Sequence, residues 1–538
     1  MSTKRILLYT VFSGILLSAG WYEWGSGLIL LFALVPLLFV EDYFDENKDR
    51  LPASKIFLFG SITFLVWNIL TTWWIYNASF AGLLMANLVN TFLMALTFWL
   101  FHITKRKLGP LMGYFALIVF WISFEKIYTD GEISWPWLTL GNGFAYNIRL
   151  IQWYEVTGVF GGSLWVLLCN ILIFTGIKKY LQYRQFKYVR EILLATALLI
   201  LIPIGISLLR FYTYKEKKWP VKVVVIQPNV DPYEKFVAIP SLQQTMNQLE
   251  LARKYADSTV DYFVAPETSI NDNIWLDQIQ YVPDIRVVKN FLKDYPRAKY
   301  VVGITSLKRY NPGDTLSPTA MKLEGTPYYY DMYNSAIQLD STGKIPVYHK
   351  SKLVVGVEKM PYPQYLKFLK KLTLHLGGTF RSNGTQRYRE TFLSPQDSIR
   401  VAPVICYESV YGEYVTDYIK QAGANLIFVI TNDGWWGNTP GHRQHNSLSS
   451  IRAIETRRAI ARSANTGISS LINQRGEVLQ KLTWWKRGAL KGTLNANDKI
   501  TFYVKHGDYL ARLAKFFSLL VLLTLLVRII ITGKEKRV

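Results

Sequence analysis

The sequence predicts a multi-span α-helical membrane domain, followed by an α/β domain outside the cytoplasm and a final membrane helix. Three observations carry this. Uncharged apolar runs fill residues 1–211. From 212 to 510, short β-branched segments alternate with polar stretches of helical spacing. Basic residues recur in every second loop between the apolar runs.

The runs are Ile6–Tyr22, Trp24–Val40, Ile56–Phe101, Leu108–Phe124, Thr157–Ile177 and Ile192–Leu209. A hydrocarbon core about 30 Å thick takes about 20 apolar residues of helix. Ile56–Phe101 is therefore two spans, broken near Asn77-Ala78-Ser79. That makes seven, and Leu513–Ile531 is an eighth, with Lys515 and Arg528 placed to snorkel from its ends. The first run also has signal-peptide features, with Lys4-Arg5 before it and Ser18-Ala19-Gly20 near its end. The spans that follow at once favour a retained helix. So many runs in so short a stretch exclude a set of soluble core helices.

Half of the 538 residues are hydrophobic and 18% are charged, yet the net charge is +23, from 61 Lys+Arg against 38 Asp+Glu. The apolar half excludes a disordered basic protein. Much of the excess lies where cytoplasmic loops are expected: Lys4-Arg5; Lys48, Arg50 and Lys55; Lys105-Arg106-Lys107; Lys178, Lys179, Arg184, Lys187 and Arg190; then Lys534, Lys536 and Arg537. That bias puts both termini in the cytoplasm and the α/β domain on the other side. A nucleic-acid partner is excluded with it, because the basic stripe faces the wrong compartment.

Candidate strands of the α/β domain are Val221–Ile226, Val260–Val264, Tyr300–Ile304, Ser335–Leu339, Val401–Ile405 and Leu426–Thr431. Ser241–Tyr255 and Ile285–Leu292 carry helical spacing, and Asn311–Pro318 and Gly377–Arg387 are loops. Strand ends are where α/β sheets place chemistry. Three strands end in Ala265-Pro266-Glu267, Cys406-Tyr407-Glu408 and Asn432-Asp433, and Lys350 lies in Tyr348-His349-Lys350. Taken singly, the cysteine reads as a small core residue, the glutamate as a turn carboxylate and the lysine as a solvated loop residue. Together they supply what a nucleophilic site needs. A thiol of ordinary pKa about 8.5 requires a base or a cation beside it; Glu267 can take the proton, and Lys350 with the Tyr407 N–H can hold an oxyanion.

The cysteine count agrees. The only other cysteine, Cys169, lies within the sixth span, which leaves Cys406 a free thiol. No Gly-x-Ser-x-Gly, His-Glu-x-x-His or phosphate-binding glycine loop occurs in the chain. His442-x-x-His445 has metal-capable spacing but no companion ligands, so it reads as a polar loop or helix face; no metal and no cofactor is expected.

These residues carry a resemblance. The α/β domain resembles the nitrilase superfamily, whose triad is Glu, Lys and Cys in that chain order. The whole chain resembles the apolipoprotein N-acyltransferase family of the bacterial inner membrane. The matching segments are Ala265–Thr268, Tyr348–Lys350, Cys406–Glu408, Asn432–Gly437, Arg452–Glu455 and Ala464–Ser469, with Trp135–Leu138 and Gly158–Gly161 in the membrane part. The family usually has Leu-Val-Pro-Phe-Gly-Glu after the lysine. Here Leu353–Glu358 reads Leu-Val-Val-Gly-Val-Glu: the proline is missing, the glycine has moved, and the glutamate keeps its spacing.

The resemblance implies an αββα sandwich on the periplasmic face. It implies Glu267, Lys350 and Cys406 as the catalytic triad, Glu358, Tyr407 and Glu408 in support, and Trp435 and Asn432 toward substrate. It further implies ping-pong acyl transfer from a membrane phospholipid, through a Cys406 thioester, to the α-amine of S-diacylglyceryl-cysteine on an apolipoprotein. Expected partners are those two substrates and the bilayer, with the protein a monomer. A membrane-tethered nitrilase-type amidase would use the same triad and leave the spans unexplained; a non-catalytic lipoprotein-binding scaffold would not need Cys406. The domains expected are 1–211, 212–510 and 511–538.

Overall fold

The computed structural model of the chain describes residues 1–235, 238–341, 343–362, 382–394 and 396–535, with side chains as far as Ile531. They form two compact units. One comprises Met1–Trp73, Leu83–Thr213 and His506–Val538; the other comprises Trp74–Gly82 and Tyr214–Lys505.

Among the described residues, seven helices, lying in the first unit apart from the ends of two near Asn77, are long and apolar enough to cross a membrane: Gly27–Glu46, Ser54–Asn77, Phe80–Leu108, Pro110–Asp130, Val159–Tyr183, Arg190–Thr213 and Tyr509–Ile531. The break expected near Asn77 is present, since one helix ends there and the next starts at Phe80. The first expected span forms a shorter helix, Thr3–Ala19, of 17 residues. Gly14 lets this helix approach Ser54–Thr72 closely: a Cβ there would lie 2.5 Å from the Thr63 carbonyl oxygen. Thr63 in turn donates to the Thr10 carbonyl at 2.9 Å. Small residues at such a contact let two backbones pack where no hydrophobic force separates helix from lipid.

Charged residues inside these helices alter two expectations. Lys105 was expected in a basic loop; it lies within Phe80–Leu108, buried against Glu41 (2.7 Å) and Asp42 (3.3 Å). The span expected to stop at Phe124 continues to Asp130. Glu125 accepts from the Leu140 N–H at 2.8 Å, and Lys126 pairs with Asp508 at 2.9 Å. An uncharged-run criterion stops at the first charge, whereas a buried charge persists in a helix wherever a partner compensates it.

The second unit holds two sheets. The first contains β1 (Pro220–Gln227), β2 (Tyr262–Val264), β3 (Ile270–Trp275), β4 (Lys299–Arg309), β5 (Met321–Lys322), β6 (Tyr329–Leu339) and β7 (Val347–His349). The second contains β8 (Phe392–Leu393), β9 (Arg400–Ile405), β10 (Leu426–Thr431), β11 (Ile460–Ala464), β12 (Ser469–Ile472) and β13 (Val478–Leu482). The chain returns to the first sheet through β14 (Gly488–Asn495). The orders are β14-β1-β2-β4-β6-β5, with β3 on β4 and β7 on β6, and β13-β12-β11-β10-β9-β8. The central pairs β1–β2, β2–β4, β9–β10 and β10–β11 are parallel.

β1 shows how the layers stack. Val221, Val223 and Val225 pack with β9 and β10 of the other sheet. Val224 and Ile226 pack with Leu249 and Ile285 of the helices Ser241–Arg253 and Pro283–Lys293. A strand covered on both faces has no solvated side, and its apolar residues run on without alternation. All six expected strands and both helices are present. The short strands β3, β5, β7 and β8, the strands β11 to β14 and the buried helix Pro440–Thr456 were not expected, because their residues are too few or too polar for an apolar-pattern rule. Of the loop expected at Gly377–Arg387, residues 377–381 lie outside the described residues, as do Lys536 and Arg537.

Candidate active site

Glu267 follows β2, Lys350 follows β7, and Cys406 follows β9, so the two sheets deliver the three side chains to one buried point. Lys350 Nζ lies 2.9 Å from Glu267 Oε1 and 2.9 Å from Glu358 Oε1. The Cys406 thiol lies within electrostatic reach of the Glu267 carboxylate and the Lys350 ammonium. Asn334 Nδ2 donates to the same two carboxylates, at 2.7 and 2.9 Å. The Asn432 backbone N–H donates to Glu267 Oε2 at 3.1 Å. Asn432, expected toward substrate, thus holds the Glu267 carboxylate through its main chain. Glu267, Lys350 and Cys406 are all buried.

The backbone is specialised at two of these points. Cys406 has φ +51° and Thr268 φ +47°, a left-handed conformation that costs a non-glycine residue about 1–3 kcal/mol and is held by its surroundings. Gly303 of β4 lies against the Glu267–Thr268 turn; a Cβ there would fall 2.5 Å from the Thr268 nitrogen and 2.6 Å from Glu267 Cα. Gly303→Ala must displace the Glu267–Thr268 turn. A displacement of this kind is expected to lower turnover by about 100-fold, checked by initial rates beside the variant's thermal midpoint.

Burial alone would push Glu267 up. The Lys350 charge and the hydrogen bonds from Lys350 and Asn334 outweigh it and hold the carboxyl below its usual range. Burial would also pull Lys350 down, but Glu267 and Glu358 hold it well above an ordinary lysine. Burial and then the Glu267 charge push the Cys406 thiol up, against Lys350. The resting site is thus carboxylate, ammonium and thiol. Activity should then be lost on acidification only as Glu267 gains a proton, below the ordinary carboxylate value of 4.5. The rate of Cys406 modification by a carbonyl substrate is expected to be flat from about pH 8 down to about pH 5; a pH–rate profile checks this.

Glu358 is brought to Lys350 by a turn in which the Val354 N–H donates to Glu358 Oε2 at 2.8 Å and Gly356 has φ +83°. The displaced glycine supplies that turn in place of the missing proline segment. Glu408, fully buried, accepts from Ile405 N (2.9 Å), Ser351 N (2.8 Å), and Tyr348, Tyr414 and Tyr418 (2.8, 2.5 and 3.1 Å). It ties the Cys406 turn to the loop carrying Lys350. Trp435 is half-buried, edge-on to Tyr233 at 5.3 Å.

Two participants escaped sequence reasoning. Lys235, buried, donates to the Glu267 carbonyl and to Thr268 Oγ1, each at 3.0 Å; burial pulls its pKa to about 8 against the Glu267 charge. His445 projects from Pro440–Thr456 to lie beneath Cys406, 2.9 Å from Asp433. The helix face expected to be merely polar is buried. Its advance signals were the His442-x-x-His445 spacing and the strand-end polar residues after β10. Among the described residues, no cluster of three or more His, Cys, Asp or Glu side chains is placed to hold a metal ion.

Stacked sheets with Glu, Lys and Cys converging from their strand ends define a carbon–nitrogen hydrolase-type domain, and residues 239–500 match the carbon-nitrogen hydrolase family model. Residues 13–172 match the apolipoprotein N-acyltransferase N-terminal domain. Apolipoprotein N-acyltransferases are similar along nearly the whole chain. The one from Chlorobaculum tepidum is 26% identical over 92% of each chain. The one from Geobacter metallireducens is 27% identical over 94% of this chain and 93% of its own. The chain belongs to the apolipoprotein N-acyltransferase family, and its seven long apolar helices make it an integral membrane protein.

Proposed function

We propose that the protein N-acylates lipoproteins, moving a fatty acyl chain from a membrane phospholipid to the α-amine of an S-diacylglyceryl-cysteine. The buried Glu267–Lys350 ion pair beside the Cys406 thiol, in a chain of this family, is the observation that carries the reading. Glu267 takes the thiol proton as the sulfur attacks the ester carbonyl. Lys350 and the Tyr407 N–H stabilise the oxyanion. Collapse breaks the ester C–O bond, and the departing lysophospholipid oxygen takes the proton from Glu267. The acceptor amine then attacks the thioester, passes its proton to Glu267, and the sulfur leaves and is reprotonated.

Both substrates are anchored by acyl chains, each buried CH₂ contributing about 0.8 kcal/mol, so an enzyme in the bilayer need not extract them. Intact-protein mass spectrometry after incubation with labelled phospholipid tests the route. An acyl mass on Cys406, discharged by a diacylated lipopeptide, is expected; its absence, or turnover of small amides instead, would refute it.

The same reading places Tyr214–Lys505 in the periplasm and both termini in the cytoplasm, supported by the basic loops. It requires Thr3–Ala19 to cross the membrane, and its 17 residues sit at the short end of the length a span takes, about 17–25 residues. A reporter fused ahead of Thr3 should respond only to cytoplasmic probes.

A further inference from the structure

The Cys406–Tyr407 peptide is trans, so its C=O and N–H point in opposite directions. Whatever holds the Cys406 carbonyl therefore also aims the Tyr407 N–H. The carbonyl is held from within the protein. Ser409 Oγ donates to it at 2.7 Å, and His445 Nε2 lies 3.3 Å from it and 3.0 Å from Ser409 Oγ. His445 Nε2 therefore faces both the Cys406 carbonyl and the Ser409 hydroxyl.

His445 is braced in turn. Its Nδ1 is flanked by Asp433 Oδ1 at 2.9 Å and Arg462 at 3.0 Å. Arg462 also pairs with Asp433 Oδ2 at 2.7 Å, and Thr431 Oγ1 donates to Asp433 Oδ1 at 2.7 Å. The Trp436 ring closes one side, 5.6 Å from the imidazole. Ser409, His445, Asp433 and Arg462 are all fully buried. Such a chain of polar groups is expensive to bury unless each member is satisfied. It meets the Cys406 backbone at the carbonyl oxygen. That carbonyl belongs to the residue with φ +51°, where the backbone has no intrinsic preference to stay and a flip would exchange C=O for N–H.

We propose that Ser409 and His445, braced by Asp433 and Arg462, are positioning residues that set the Cys406–Tyr407 peptide plane and thereby aim the oxyanion-binding N–H. The inference rests on the acyl-transfer reading, in which both chemical steps pass through an oxyanion. It separates two properties of Cys406 that a purely structural role would lose together. Acylation by an ester needs the oxyanion donor; alkylation by iodoacetamide displaces iodide and needs only the thiol and Glu267.

The test uses full-length detergent-purified protein with Ser409→Ala, Ser409→Thr, His445→Phe and His445→Gln. Acyl-adduct formation on Cys406 from labelled diacyl phospholipid in mixed micelles is timed beside iodoacetamide alkylation of Cys406, followed by peptide mass across pH. Ser409→Ala and His445→Phe should slow acylation by about 100-fold, the loss typical of one oxyanion donor, with the alkylation rate and its pH profile unchanged. Ser409→Thr and His445→Gln, which keep a donor, should recover most of the acylation rate. Acylation as fast as in the wild type would overturn the proposal, and so would alkylation falling in step with acylation. Absence of any adduct on the wild-type protein would instead refute the acyl-transfer reading itself.

Discussion

Cys406→Ala is expected to abolish N-acylation while leaving the protein as stable as the wild type. The sulfur is the only atom at the convergence of Glu267 and Lys350 that can form the thioester, and without it the reaction has no covalent route. Removing it breaks no ion pair. Glu267 keeps Lys350, Asn334 and the Asn432 N–H, and Lys350 keeps Glu358. Alanine meets the same φ +51° penalty as cysteine, so the backbone term cancels. Lipoprotein N-acylation in cells should disappear, and the purified variant should show no acyl adduct and an unshifted thermal midpoint. A variant that still acylates would mean that Cys406 is not the nucleophile; a scaffold protein would tolerate the change altogether.

Lys350→Met is expected to fail in both respects. Losing an oxyanion donor lowers turnover by about 10²–10³-fold, and the base loses its alignment as well. Unlike the cysteine change, this one leaves Glu267 and Glu358 facing each other across Asn334 in a buried site. Breaking a buried pair by removing one partner costs about 3–5 kcal/mol, a large share of the stability of a domain. The measurement is a thermal midpoint beside a single-turnover rate. Lys350→Met/Glu267→Gln should regain part of the lost midpoint, since the uncompensated carboxylate is gone, with no return of activity. A single variant as stable as the wild type would mean that solvent, not Lys350, compensates Glu267.

The contrast between these two variants shows what was legible in the sequence. Cys406 and Asn432 each sit just after a six-residue, mostly apolar strand, and Glu267 after the shorter all-apolar Tyr262–Val264. β2, β9 and β10 could therefore be anticipated with the polar residues at their ends. The long apolar helices were legible for the same reason. That Lys350 meets both glutamates was not derivable from spacing: Glu267 and Lys350 are 83 residues apart, and β7 is only three residues long. Glu358 depended on a turn for which the sequence offered a displaced glycine and no proline, and only the fold shows the turn closing on Lys350. His445, Asp433 and Arg462 look like surface residues by composition. They are buried because each satisfies another across 12 to 29 residues of sequence.

The sequence by itself determined which segments leave water. Burial of apolar surface is set by local composition and period, and a run of some twenty apolar residues has few other places to go. The tertiary structure alone decided which charges and hydroxyls leave water with them. A buried polar group is tolerated only where a partner from elsewhere in the chain arrives at hydrogen-bond distance. Lys105 with Glu41, Lys126 with Asp508 and the braced Cys406 carbonyl all depend on such arrivals. Apolar burial is a property of a segment, whereas polar burial is a property of a pair, and only folding brings the pair together.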